Sequence, residues 1–343
     1  MNYLTLLIIY FISFIFIMLF ILFGHSVAIH DYLIVKFFKS IYQNLLNLLP
    51  DWFLKLLAHI FNYFFYEKNY FFQAFYCAAV LICHGILVLD VLSILYYYSL
   101  TENHVYIMIL SLFLNIVSYS TLCLSDPGFI NKKSYNSLSN VYKHDQVFYK
   151  KQECDICQII KPARTRHCKL CDTCVYRYDH HCIWSNCCIG GLNMRNFLGF
   201  LISAFIMCAN SVYLGVKSLM YYVHYEQLWQ AKYIDGSGAI KQMDIVNLIQ
   251  HLFMTLPRVM FLVSCLSGIG LGLLGYLLYH FYLMSTNQTS IERHRVKLMQ
   301  RKVTNKRNHE QRNLSVNWRP YDRGWKENLK EVLQPHNFVK KIK

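Results

Sequence analysis

The sequence predicts a mainly α, polytopic bundle of about five transmembrane helices, interrupted by a loop-rich module dense in cysteine and histidine. Three observations predict it. Of the 343 residues, 55% are hydrophobic and 15% charged, a balance uncommon in soluble domains. Apolar runs of span length recur at 2–24, 74–98, 105–124, 197–220 and 259–284. Between the third and fourth of these, Cys154 to Cys188 gathers eight of the 13 cysteines and three of the 15 histidines within 35 positions.

Taken in order, residues 1–24 read as a retained first transmembrane helix, because the run carries no charge, no basic leader and no small-residue cleavage site. Residues 25–73 remain hydrophobic but are broken by Asp31, Lys36, Lys39, Asp51, Lys55, Glu67 and Lys68. Apolar residues recur there at helical spacing on either side of Pro50, which predicts amphipathic helices lying in the membrane interface. Residues 74–124 hold the second and third transmembrane helices, joined by Ser99 to His104, which contains no Lys or Arg. So short a connection implies a hairpin with its turn on the lumenal side. His84, Asp90 and Asn115 are polar groups at membrane depth, expected to serve function or to bond between helices. Asp126-Pro127-Gly128 then ends the third helix, since proline disfavours helix before it and glycine permits the turn after it.

The module itself, within residues 125–195, contains three Cys-x2-Cys pairs: Cys154/Cys157, Cys168/Cys171 and Cys171/Cys174. Two thiolates from one tight turn can fill two corners of a tetrahedron, and thiolate and imidazole are the donors that zinc prefers. Eleven Cys and His side chains lie in the stretch, whereas two closed sites need eight. Three donors are left over, and a purely structural module has no need of them. Spacing alone leaves open which donor serves which metal.

Asp179-His180-His181-Cys182 inside this cysteine pattern resembles the cysteine-rich domain of the DHHC family of protein S-acyltransferases (palmitoyltransferases). The likeness extends to Lys161-Pro162-x-Arg164-x-Arg166-His167-Cys168 before it and to Trp184, Asn186, Cys188, Gly190, Asn193 and Phe197 after it. Thr289-Ser290-x-Glu292 resembles the family's Thr-Thr-x-Glu motif, with serine in the second place, which keeps the hydroxyl for a hydrogen bond toward the active-site carboxylate. Tyr321-Asp322-x-Gly324-x3-Asn328 resembles its carboxy-terminal motif, in which the asparagine helps to fix the tail against the membrane domain. Two departures stand out: Ile183 occupies a position that is often proline, and Cys187 one that is commonly asparagine.

The resemblance implies one zinc held by Cys154, Cys157, His167 and Cys174, and a second by Cys168, Cys171, His181 and Cys188. It leaves Cys182 as the acyl-carrying nucleophile, with His180 as its base and Asp179 as the group that orients the imidazole. A free thiol of pKa about 8.5 is mostly protonated at neutral pH, so such a nucleophile needs a base beside it. The implied reaction is two-step exchange. Cys182 takes a long acyl chain from an acyl-coenzyme A such as palmitoyl-CoA and passes it to cysteines of membrane-associated proteins. Lys161, Arg164 and Arg166 are candidate contacts for the coenzyme A phosphates. Cys187 reads as a spare thiol beside the second metal site.

Residues 196–284 hold the fourth and fifth transmembrane helices, with a lumenal loop at 221–247 in which two lysines face three acids. Gly268, Gly270, Gly272 and Gly275 suggest close helix packing in the last span. The basic tail, 285–343, is cytosolic in this topology and ends in a dilysine pattern at Lys340 and Lys341, which fits retrieval to the endoplasmic reticulum membrane, the Golgi being the other compartment considered. Asn287-x-Thr289 and Asn313-x-Ser315 match glycosylation sequons but fall on the cytosolic side, where they stay unmodified.

The net charge of +15 does not indicate nucleic-acid binding. Residues 125–195 carry 11 basic and 6 acidic side chains and the tail carries 15 and 5, while the rest of the chain balances. The surplus therefore flanks apolar spans, as the positive-inside bias and anionic lipid require. A reducing cytosol also keeps ligand thiols free. Two other functions compete: a membrane-anchored zinc-finger ubiquitin ligase, and a catalytically idle scaffold or transporter with a structural metal module.

Overall fold

The computed structural model describes residues 50–98, 103–145, 148–234, 236, 238–307 and 318–342. The expected first transmembrane helix, the interfacial stretch up to residue 49, the 99–102 turn, the Asn313 sequon and Lys343 lie outside the described residues. Among the described residues, four helices are long and apolar enough to cross a membrane: α2 (Phe71–Tyr97), α3 (His104–Leu124), α5 (Met194–Tyr225) and α7 (Pro257–Ser285). At 1.5 Å per residue each reaches about 30 Å or more, the thickness of a hydrocarbon core. The chain is a multi-pass membrane protein, and these helices fall on the four later spans read from the sequence.

Ahead of them, α1 (Asp51–Tyr66) follows Pro50 and places Asp51 in its first turn, where a carboxylate favours the helix dipole. Asn69 closes α1 by donating to the carbonyl of Tyr63 at 2.6 Å, and its Oδ1 accepts from the Phe71 amide at the start of α2.

The chain divides into two compact units, the division falling within α2, α3, α5 and α7. One unit comprises residues 74–121 and 198–278. Its core is Leu87, Val91 and Leu95 of α2, Met108 of α3, Cys208 and Leu214 of α5, and Val259, Leu262 and Leu266 of α7. A Cβ on Gly215 would meet Cγ2 of Val263 at 2.4 Å, so here only hydrogen fits between α5 and α7.

The polar residues at membrane depth find partners within this unit, although His84 Nε2 and Asp90 Oδ2 are buried with none. Asn115 accepts from the Tyr76 hydroxyl at 2.6 Å and donates to Ser203 at 3.3 Å. His84 Nδ1 turns back to Val80 O at 2.8 Å. Asp90, in a π-helical turn at Leu87–Val91, pairs with Arg258 at 2.7 Å. The loop expected at 221–247 contains a hairpin, β7 (Lys232–Ile234) with β8 (Ile240–Gln242), and an unforeseen helix, α6 (Ile245–Thr255), starts at its end and runs beyond it. Asp244 caps that helix, and Leu248 and Leu252 bury against Val223 and Leu228.

The other unit comprises residues 50–73, 122–197 and 279–342 and carries the cysteine module. Asp126 Oδ1 accepts from the amides of Gly128 and Phe129, closing the turn that ends α3, and Gly128 takes φ +100°. A short helix, α4 (Lys132–Leu138), follows with an Asn131/Ser134 capping box. Three small antiparallel hairpins make the module: β1 (Glu153–Cys154) with β2 (Ile159–Ile160), β3 (Arg166–Cys168) with β4 (Thr173–Val175), and β5 (His180–Cys182) with β6 (Cys187–Ile189). Beyond α7 come α8 (Ser290–Arg307), α9 (Trp325–Leu333) and α10 (Pro335–Ile342).

Candidate active site

The geometry of the module follows from the two-residue alternation of extended strands. On β3, His167 and Cys168 are neighbours and so leave opposite faces. His167 is registered against Cys174 and faces the first donor set, whereas Cys168 faces the second. On β5 the same rule separates His181 from His180 and Cys182. His181 is registered against Cys188 and joins the second set, while His180 and Cys182 share the reverse face. The interleaving of ligand sets and the separation of ligands from chemistry therefore have one cause.

The sets are Cys154, Cys157, His167 and Cys174, then Cys168, Cys171, His181 and Cys188, the donor atoms of each lying within 4.8 Å of one another. His167 Nδ1 stands 3.6, 3.3 and 4.0 Å from the sulfurs of Cys154, Cys157 and Cys174. His181 Nδ1 stands 3.6, 3.4 and 3.7 Å from those of Cys168, Cys171 and Cys188. A tetrahedron at ordinary zinc bond lengths puts neighbouring donors about 3.6–3.8 Å apart, so both sets fit a structural zinc with no open position. In the Cys154/Cys157 and Cys168/Cys171 turns the next residue takes a left-handed backbone, Gln158 at φ 52° and Asp172 at φ 50°, folding both sulfurs inward. Asn186 does the same in the β5–β6 turn, at φ 48°.

On the other face, Asp179 is fully buried and its Oδ2 lies 2.7 Å from His180 Nδ1. The second ring nitrogen is not used by the carboxylate, and Cys182 lies two residues along on the same face, where each group bears on the other's ionisation. Burial opposes charge on the imidazole, but its bonds to Asp179 and Cys182 outweigh this and raise its pKa to about 10. For Asp179, burial raises the carboxyl and the imidazole bond lowers it, to a net value of about 2. Cys182 is likewise raised by burial but pulled down by His180 and Ser185 to about 7. Cys187 on the neighbouring strand is pushed up by burial to about 12, so of the two thiols Cys182 is the one poised to ionise.

Asp179 is fixed from two sides. Its amide donates to Ile189 O at 2.9 Å, and Oδ1 accepts from the Ser290 amide at 2.6 Å. Ser290 opens α8, and Thr289 and Glu292 form a capping box around it. The Thr289 amide donates to Glu292 Oε2 at 2.9 Å, and the Glu292 amide to Thr289 Oγ1 at 3.3 Å. The bond expected from a hydroxyl to the carboxylate is thus made by the main chain at a helix amino terminus, where an anion is favoured. The Ser290 hydroxyl donates instead to the Asp179 carbonyl at 3.3 Å.

Arg164 requires a correction, because a buried and fully engaged guanidinium cannot meet a coenzyme phosphate. It is 1% exposed and forks onto Glu292, with Nε and Nη2 each at 2.8 Å. It also donates to Asn287 Oδ1 and O, both at 2.9 Å, and its guanidinium carbon lies over the rings of Tyr142 and Tyr321, 4.7 and 4.6 Å from their centroids. Arg177 continues the network to Glu331 and Asn287, at 3.3 and 2.9 Å, and Tyr142 donates to Glu331. Of the three basic candidates only Arg166 is exposed, and Lys161 is half-buried.

Sequence reasoning missed Asn287, Glu331 and His280. Asn287 was read only as a sequon. Its amide is buried and donates to Tyr321 O and Glu331 Oε2 at 3.0 and 2.8 Å. The ring of His280, 1% exposed on α7, stands 6.3 Å from that of His180 and 5.2 Å from that of Phe197. Its signal was available, as a histidine within an apolar span is a functional suspect. Asn328 behaves as its motif implies, donating to Ser285 O at the end of α7 and to Asp322 Oδ1.

Comparison with known proteins agrees with this geometry. The profile of the DHHC palmitoyltransferase family matches residues 147–297. The chain is 41% identical over 179 residues to palmitoyltransferase ZDHHC4 of Mus musculus, covering 52% of each protein. It is 30% identical over 246 residues to palmitoyltransferase ZDHHC4 of Bos taurus, covering 71% of this chain and 72% of the relative. It is 29% identical over 188 residues to palmitoyltransferase swf1 of Schizosaccharomyces pombe, covering 53% and 47%. The match to the mouse protein thus spans about half of that protein's length. These likenesses give the ubiquitin-ligase alternative no support.

Proposed function

We propose, from a chain that belongs to the DHHC palmitoyltransferase family, that this protein is a membrane-embedded protein S-acyltransferase with Cys182 as its acyl carrier. The observation that carries the reading is the buried Asp179–His180 pair set beside Cys182 on the hairpin face turned away from the metal ligands. The Cys182 sulfur attacks the thioester carbonyl of a fatty acyl-CoA, its proton having passed to His180. The tetrahedral adduct collapses, the carbon–sulfur bond to coenzyme A breaks, and His180 returns the proton to the departing thiolate. A cysteine of a membrane-associated protein then attacks acyl-Cys182 with His180 again taking the proton, and Cys182 leaves as the free thiol.

Asp179 holds the imidazole with Nδ1 protonated and stabilises its cationic form. Zinc held by the two Cys3His sets would supply no step; it would hold the hairpins whose pairing presents the dyad. Palmitoyl-CoA suits the reading because a long acyl chain gains roughly 0.8 kcal/mol per methylene on leaving water for an apolar environment. Exposed Arg166 and half-buried Lys161 remain the candidates for the coenzyme phosphates. The endoplasmic reticulum membrane, with the module and tail in the cytosol, is the compartment that the charge distribution and dilysine pattern favour. The test is acyl labelling of the purified enzyme. Cys182→Ser abolishes the hydroxylamine-sensitive label, and a variant that still labels normally refutes the assignment.

A further inference from the structure

A second thiol faces the nucleophile. In the β5–β6 hairpin Cys182 is registered directly against Cys187, so both side chains leave the hairpin on one face, with His181 and Cys188 on the other. Residues opposed in this way have Cα atoms about 4.5–5.5 Å apart, within the range of about 4.4–6.8 Å in which two cysteines bridge without backbone movement. Both sulfurs also converge on one buried hydroxyl. Cys187 Sγ lies 3.2 Å from Ser185 Oγ, and the same side chain hydrogen-bonds Cys182. A bridge between them uses no metal ligand, and it exists as an option here because Cys187 stands where the family commonly has asparagine.

We propose that Cys182 is an oxidation site with Cys187 as its resolving thiol, the two closing a reversible disulfide when hydrogen peroxide reaches the site. The Cys182 sulfur attacks one peroxide oxygen and the O–O bond breaks. The departing hydroxide takes the thiol proton as water, leaving Cys182 as a sulfenic acid. The Cys187 sulfur then attacks the Cys182 sulfur, the S–S bond forms, the S–O bond breaks, and the second water leaves with the Cys187 proton. Two thiols are oxidised by two electrons and one peroxide is reduced to two waters. External dithiol reverses the bridge by exchange. Closure removes the acyl acceptor and keeps Cys182 from the sulfinic acid, which thiols do not reduce. The bridge is a matter of hairpin geometry, and only its effect on acylation rests on the proposed activity.

The test uses the full-length, zinc-loaded chain in nanodiscs, treated with hydrogen peroxide, alkylated and digested without reduction. Trypsin releases the segment between Arg177 and Arg195, and chymotrypsin cuts after Trp184, parting Cys182 from Cys187 unless a disulfide joins them. The expected product is the linked pair at unchanged zinc content. Cys182 bridged to Cys188, Cys182 carried to sulfinic acid with Cys187 still alkylated, or zinc lost before Cys182 reacts each overturns the proposal. In parallel, Cys187→Asn and Cys187→Ser retain zinc and autoacylation. After peroxide and then dithiothreitol the wild type recovers its label and the variants do not; equal recovery overturns the protective role. Absence of label before any peroxide counts against the acyltransferase reading alone, since the peptide linkage is still read.

Discussion

Replacing Arg164 by methionine removes five donors from a site that solvent does not reach. Glu292 loses both prongs of its fork and is held only by the Thr289 amide at 2.9 Å and by the Tyr149 hydroxyl at 3.0 Å. In the folded chain burial raises the Glu292 carboxyl while Arg164 lowers it, with a net fall. Removing the cation therefore leaves a buried charge without its partner. Breaking one side of such a pair costs about 3–5 kcal/mol, a large share of the roughly 5–15 kcal/mol that holds an ordinary domain. The expected readout is a fall in unfolding temperature of order 10 °C, with earlier zinc release, for the purified chain in nanodiscs. Arg164→Met combined with Glu292→Leu recovers much of the loss, because an apolar pair of similar volume carries no stranded charge. An Arg164→Met chain that unfolds at the wild-type temperature but binds acyl-CoA more weakly would refute the internal-brace reading and restore the phosphate contact.

The remaining predictions concern charge, metal, packing and modification. Autoacylation rises as pH climbs through about 7, where Cys182 ionises, and Asp179→Asn moves that limb upward, because an imidazole without its carboxylate holds the thiolate less well; a stopped-flow pH profile that does not move contradicts the dyad. Cys157→Ser lowers zinc from two ions toward one by elemental analysis and removes the label although Cys182 is intact. Gly190→Ala sets a Cβ 2.4 Å from the Pro127 carbonyl oxygen, a backbone atom that cannot swing aside, and costs about 1–3 kcal/mol in thermal unfolding. Asn287 stays unglycosylated in a cell-expressed chain, as an unchanged gel position after glycosidase treatment will show, because its amide nitrogen is already bonded inside the fold.

What could be read in advance was periodic or chemically distinctive. Span-length apolar runs located α2, α3, α5 and α7 within a few residues, since a membrane helix needs little beyond length and the absence of charge. The cysteine and histidine types announced the metals, and the two sets that the motif resemblance implied are the ones whose donor atoms the fold gathers. Arg164 misled because its meaning depends on partners 123 and 128 residues further along the chain, which no local window contains. Glu331 was invisible for the same reason. Helix α6 escaped because its short apolar face acquires meaning only against Val223 and Leu228. Serine in place of threonine at position 290 drew attention to a hydroxyl, although the bond to Asp179 Oδ1 comes from an amide that any residue except proline would supply.

His180 and His181 are chemically identical neighbours given unrelated tasks only because one edge of a three-residue strand looks each way. Strands that short cannot choose their own alignment, and a slip of one position would still leave an imidazole on each side. Coordination at His181 and Cys188 removes that ambiguity. If Cys182 is the acyl carrier proposed above, loading with zinc during biogenesis is the moment at which it becomes one, and a zinc-starved cell would make chains with every residue in place and no working thiol.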